Sequence, residues 1–279
     1  MYKLVNLFRP IIAKPQNTTA YVEISPCNLL KPYIKCYWGS PQPLLKFRKE
    51  FSMPRSTIII PDTCMDIIVN IDYHSNKISS VFCGINDAPF CVFDVNKTTL
   101  ISTFAIRFNF WAVHLFSDIG MKESLNAFVD INEYFNDFKR KLESMLIEKT
   151  IIEERVFEVE KYLIKRLFTN YHINNNVMNA IYFILNSKGL ISVSELSNKT
   201  NISPRQLQRL ILEFVGVSPK KITDLVRFQN IWQVMYYSHK QDFGDIVYHY
   251  KYADQSHFNN DFKKYAGRTP TEALKYAKT

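Results

Sequence analysis

Glycine is scarce, with 7 in 279 residues, which leaves no room for a phosphate-cradling glycine loop or a nucleophile elbow. No H-E-x-x-H helix and no paired carboxylates in a plausible cleft are recognisable either. No catalytic residue is therefore expected, and the chain does not read as an enzyme. The five cysteines (Cys27, Cys36, Cys64, Cys83, Cys91) form no C-x-x-C pair, which argues against a zinc site or a disulfide framework and for reduced thiols mostly buried in strands. His74 and His114 have no partner at ligand spacing, so neither a metal nor a cofactor is expected. No apolar run approaches the ~18 residues of a membrane span, and the N-terminus lacks the cleavage site of a signal peptide. A cytoplasmic location without membrane contact is the expectation.

What the chain does have is apolar bulk and positive charge. Hydrophobic residues make up 47%, aromatics 14%, and the net charge is +9, which suits a globular protein with a polyanionic partner. The charge is uneven: residues 172–279 hold 14 Lys/Arg against 8 Asp/Glu, a net +6. A polyanion would meet that part.

The first hundred residues alternate in strand fashion over Tyr33–Trp38, Thr57–Ile60, Met65–Ile71, Lys77–Phe82, Phe90–Val95 and Thr99–Phe108, spaced as in a sandwich or barrel. Trp111–Phe116, Tyr134–Ile147 and Ile151–Phe168 then show apolar residues three and four apart and read as helices. Asn170–Asn176 reads as a linker. Beyond it, helices are expected near 174–187, 193–200, 204–215, 219–237, 244–251, 255–265 and 270–277. Three of their starts place Ser or Thr directly before Pro (Ser203, Ser218, Thr269). The hydroxyl caps an orphan N–H there, and proline at the first helical position has none to lose.

Two helix pairs in this region share one design. In the first, Asn201 closes a two-turn helix, since Asn tolerates a left-handed turn. The following helix turns Leu207, Leu210, Ile211 and Phe214 inward, which leaves Arg205, Gln208 and Arg209 together on a cationic face. In the second, Phe258, Phe262 and Tyr265 turn inward, which leaves Gln255, Ser256, His257, Asn259 and Asn260 outside. Arg and Gln have the geometry that pairs with guanine and adenine edges in a major groove. The 19-residue helix between the pairs spans about 28 Å, near the ~34 Å between successive grooves on one face of DNA.

The residues Ile202-Ser203-Pro204-Arg205-Gln206-Leu207-Gln208-Arg209-Leu210, Gly216-Val217-Ser218-Pro219, Tyr252-Ala253-Asp254-Gln255-Ser256-His257-Phe258 and Phe262 to Pro270 carry a resemblance. Residues 177–279 resemble the DNA-binding module of the AraC/XylS transcription regulators. The resemblance implies two helix-turn-helix units joined by a long helix, with double-stranded DNA and RNA polymerase as partners. It places base contacts at Arg205, Gln208 and Arg209 in the first unit and at Gln255, Ser256, His257 and Asn260 in the second. Ser203, Lys220, Lys221, Lys263, Lys264 and Arg268 fall to the phosphates, since ammonium groups act as point charges. Where the family favours glycine at each turn, this chain has Asn201 and Lys251, and Lys251 in a left-handed turn costs on the order of 1 kcal/mol. Residues 21–145 resemble a β-rich N-terminal domain of unassigned function, through Pro61-Asp62-Thr63-Cys64-Met65-Asp66 and Phe104-Ala105-Ile106-Arg107-Phe108.

The expected architecture is α+β in residues 1–148 (a short-stranded β sandwich or barrel plus helices), a connecting helix and linker over 149–176, and an all-α double helix-turn-helix domain over 177–279. For the first domain two roles stay open. One is sensing a small-molecule effector, with Arg107 as a candidate ligand-binding residue. The other is assembly with a protein partner or as a homodimer. A charge inside the Arg107 strand must be paired or bind something, and an internal salt bridge is the favoured fate.

Overall fold

The structure, a computed structural model, describes residues 4–11, 21–46, 56–93, 99–169, 173–238 and 243–278. A seven-stranded antiparallel sheet forms the N-terminal half, in the order β1 (Val22–Ile24), β2 (Ile34–Gly39), β8 (Thr99–Phe108), β5 (Met65–Asp72), β6 (Lys77–Cys83) and β9 (Phe128–Asp130), with β3 (Leu44–Lys46) also paired to β8. A two-stranded sheet pairs β4 (Ser56–Ile59) with β7 (Phe90–Phe93). The long pairing of β5 with β8, from Met65 opposite Phe108 to Asp72 opposite Ile101, is the spine of the sheet.

Strict alternation fixes which face is which. Met65, Ile67, Val69 and Ile71 are buried, while Asp66, Ile68, Asn70 and Asp72 face the other side, because a strand turns successive side chains to opposite faces. On the buried side Phe82 and Phe108 pack against Phe135 of α2 (Asn132–Glu148), at ring distances of 5.4 and 6.5 Å. α3 (Ile152–Thr169) buries Arg155 completely. Its guanidinium is satisfied by the carbonyls of Lys149 and Leu146, the Tyr73 hydroxyl and the Ser102 hydroxyl, as a buried charge requires.

α1 is one short turn (Leu4–Leu7). The remaining helices are α4 (Asn175–Asn186), α5 (Val193–Thr200), α6 (Pro204–Val215), α7 (Pro219–Tyr237), α8 (Phe243–His249), α9 (Gln255–Ala266) and α10 (Pro270–Lys278). The short strands β1, β3 and β9 have no counterpart in the sequence reading. Trp111–Phe116 forms only a 3-10 turn over Val113–Leu115. Of the asparagine-rich stretch expected as a linker, residues 170–172 lie outside the described residues. Asn174 caps α4 by accepting the N–H groups of Asn176 and Val177, so these asparagines serve as a helix start.

The N-terminal half packs directly on the C-terminal helices. Gln229, fully buried in the middle of α7, donates to the carbonyls of Pro61 (2.6 Å) and Ile11 (3.2 Å) and accepts the Ile11 N–H (3.0 Å). The Met121 N–H donates to the Glu213 carbonyl of α6 at 2.7 Å. The Tyr276 hydroxyl of α10 accepts the Ile58 N–H at 3.0 Å.

Candidate nucleic-acid interface

The first unit is built by local rules. Ser192 and Glu195 form a reciprocal capping box at the start of α5, which satisfies two orphan N–H groups at once. At the other end Asn201 stands at φ 53°. The Ser197 hydroxyl closes the same turn by donating to the Ile202 carbonyl. α6 begins with Ser203 accepting the Gln206 N–H at 3.3 Å, then Pro204. Leu207, Ile211 and Val215 are buried along its inner side. Leu210 and Phe214 are half-buried, and the Phe214 ring meets His114 of the N-terminal half at 4.9 Å.

Arg205, Gln206, Gln208 and Arg209 are all exposed on the outer side of α6. The structure brings Arg205, Gln208 and Arg209 onto one concave surface. No carboxylate partner of Arg205 or Arg209 occurs among the described residues.

The second unit repeats the plan with different parts. Lys251 occupies the turn at φ 55°. Asp254 caps α9 by accepting the His257 N–H at 2.8 Å. Phe258, Phe262 and Tyr265 are buried, while Gln255, Ser256, His257 and Asn260 are exposed and Asn259 is half-buried. The His257 ring leans edge-on against Tyr252 at 5.3 Å. The Tyr252 hydroxyl donates to Asp261 at 2.7 Å, and Asp261 also accepts from Arg227 of α7 at 2.9 Å. Burial pushes the Tyr252 phenol well up, so it stays a donor in this link. Arg227, Asp261 and Tyr252 thereby fix α9 to the long helix; of the three, only Tyr252 belongs to a motif that the sequence marks out.

The cations assigned to phosphates fall into two groups. Lys263 and Lys264 are exposed on the last turn of α9, at the opposite end from Gln255, and Lys264 lies 5.2 Å from the Tyr265 ring. The others are engaged. Lys220 pairs with Asp224 at 2.6 Å, and Arg268 stacks over the Tyr276 ring at 4.2 Å. Lys221, at the capped start of α7, is paired with Asp87 of the N-terminal half, so in this arrangement its charge is not offered to DNA. Ser203 spends its hydroxyl on the helix cap.

Arg107 has its partners inside the sheet. It donates to both oxygens of Asp66 at 2.9 and 2.8 Å, and Asp62 lies 3.5 Å away. Burial works against its charge, but the two carboxylates outweigh it and hold the guanidinium protonated. The internal salt bridge thus occupies the groups that an acidic effector would need. Cys36 and Cys64 are buried, Cys27 and Cys83 half-buried and Cys91 exposed. No cluster suited to a metal ion occurs among the described residues, and no described helix is long and apolar enough to cross a membrane.

Comparison with known proteins bears on both halves. Residues 196–276 match the family model of a helix-turn-helix domain, and residues 22–130 match that of a domain of unknown function (DUF6597). No curated protein matches. Similar solved structures include the C-terminal domain of AraT, a response regulator from Geobacillus stearothermophilus (20% identity, 39% of this chain and 90% of that one, TM-score 0.36). A probable AraC family transcriptional regulator from Rhodopseudomonas palustris is similar over 38% of this chain and all of its own (22% identity, TM-score 0.33). ToxT from Vibrio cholerae is similar over 86% of this chain and 98% of its own (13% identity, TM-score 0.39). Behind its β-rich N-terminal domain this chain therefore carries a helix-turn-helix domain over residues 196–276.

Proposed function

We propose that the chain regulates transcription by reading two adjacent major grooves of double-stranded DNA, α6 in one and α9 in the next, with α7 setting the spacing. The observation that carries this reading is the pair of capped helices whose outward faces are polar, exposed and free of carboxylate partners at Arg205 and Arg209. In this reading residues 177–279 act as the DNA-binding domain, 149–176 connect, and 1–148 modulate binding. RNA polymerase is the partner that the family role implies, and the chain itself performs no catalysis.

The N-terminal domain touches α6, α7 and α10 at once, which favours control of DNA binding over a role in assembly alone. A small-molecule effector of that domain would act by changing those contacts, and any ligand selective for the folded state would raise the thermal midpoint in a metabolite screen.

The reading is tested by selecting duplexes from a random library with the full chain, then measuring affinity for selected and random duplexes. A sequence-specific regulator prefers the selected duplex by roughly a thousandfold or more. Equal affinity for both would reduce the chain to a nonspecific DNA binder.

A further inference from the structure

The concave surface along the outer side of α6 is not made by α6 alone. Its lining runs from Ser203, the cap of α6, along that helix to Glu213, and the one lining residue from elsewhere in the chain is Lys122 of the N-terminal domain. We infer that Lys122 is a DNA backbone contact supplied by the N-terminal domain, so that the DNA-facing surface of the first unit is built from both halves of the chain. The inference rests on the reading that α6 enters a major groove.

The loop that carries Lys122 is fastened to the helix that it would assist. The Met121 N–H donates to the Glu213 carbonyl at 2.7 Å, and Tyr134 of α2 donates to the Lys122 carbonyl at 3.3 Å. Gly120 comes so close to Glu213 that an added Cβ would fall 2.2 Å from its carboxylate, and at Gly216 one would fall 2.5 Å from the Met121 carbonyl. Lys122 therefore moves with α6, and a contact held in place before binding loses little freedom on binding.

Charge supplies the second argument. The last turn of a helix carries partial negative charge on its free carbonyls, and in α6 the exposed Glu213 adds a full one. That end of α6 would repel a DNA strand running past it. Lys122 is exposed beside it, and its ammonium has no acidic partner among the described residues. Glu123, its neighbour, does not line the surface. An ammonium on a flexible stem suits a phosphate, which needs a point charge and no base geometry.

The test uses the full-length chain with two duplexes of equal length, one selected by the wild type and one random, titrated from about 50 to 200 mM KCl. Lys122→Ala is expected to weaken both duplexes by the same factor, roughly three- to tenfold, and to reduce the salt slope by about one. Lys122→Arg should keep both properties. Unchanged affinity and slope in Lys122→Ala, or tighter binding, would overturn the inference. Arg209→Ala, measured alongside, separates the two levels. If it loses preference for the selected duplex while Lys122→Ala changes nothing, the Lys122 inference alone fails. If Arg209→Ala is without effect too, the reading of α6 fails with it.

Discussion

The carboxylate of Asp87, in the N-terminal domain, grips the ammonium of Lys221 at the first turn of α7, 134 residues further along the chain. Asn126 holds Asp87 in place through a 2.9 Å hydrogen bond from its side-chain amide. Burial would raise the Asp87 carboxyl, but Lys221 and Asn126 outweigh it and keep the carboxyl below its ordinary range. If Lys221 meets a DNA phosphate as proposed, that phosphate and Asp87 compete for one cation. Asp87→Asn should raise affinity for duplex DNA by about 1 kcal/mol, roughly fivefold. Asp224→Asn frees Lys220 inside α7 and serves as the comparison. Affinity measured at fixed salt checks this, and an unchanged or weaker Asp87→Asn variant would show that Lys221 plays no part in binding.

His114 makes stability depend on pH. Both of its ring nitrogens are shut off from water, and burial lowers its pKa to about 4, which a hydrogen bond with the Phe214 backbone only partly offsets. Between about 4 and the ordinary ~6.5 the unfolded chain binds this proton and the folded chain does not. Stability is therefore complete above about pH 6.5 and falls as the pH drops toward 4, by roughly 2 to 3 kcal/mol. Denaturant midpoints measured across that range should show the loss, and His114→Leu should flatten it. A wild-type curve that matches the variant would remove His114 from the explanation.

Lys251 carries strain that Asn201, its counterpart in the first unit, does not. Both stand in left-handed turns, at φ 55° and 53°, but only Asn is well suited to that region. Lys251→Gly is predicted to stabilise the protein by roughly 0.5 to 1 kcal/mol, read as a higher thermal midpoint. A lower midpoint would mean that the lysine side chain contributes more than the turn costs.

Arg209 is expected to contact a base edge. Arg209→Ala should weaken binding to the selected duplex by roughly 1 to 3 kcal/mol and relax preference at one base position. Equal weakening on selected and random DNA would instead make it a phosphate contact.

The helical half was legible because its signals are local. Ser203-Pro204 and Ser218-Pro219 announce the starts of α6 and α7, Gly216 announces a stop, and the expected ranges 193–200, 204–215 and 219–237 coincide with α5, α6 and α7. The strands around Met65–Asp72 and Thr99–Phe108 were legible through their alternation and aromatic content. β1, β3 and β9 were not, since three residues are too few to show a period and these strands exist only through their neighbours. The same limit applies to the site. Arg205, Gln208 and Arg209 share a face by helical spacing alone, whereas Lys122 beside α6 and Asp87 on Lys221 depend on distant packing that no local pattern encodes.

The outward faces of α6 and α9 differ in kind: α6 presents two arginines, and α9 presents neutral amides, a hydroxyl and an imidazole. A bidentate arginine–guanine pair discriminates by ~1 to 3 kcal/mol, and single contacts from Ser or His by less. The most direct measurement is therefore a base-by-base substitution series across the selected duplex, with the full chain at fixed salt. Two adjacent grooves read by this chain predict large penalties clustered where Arg205, Gln208 and Arg209 lie, and small ones about a helical turn away, where Gln255, Ser256, His257 and Asn260 lie. A flat profile would contradict groove reading by α6, and equal penalties in both halves would contradict the asymmetry between the units.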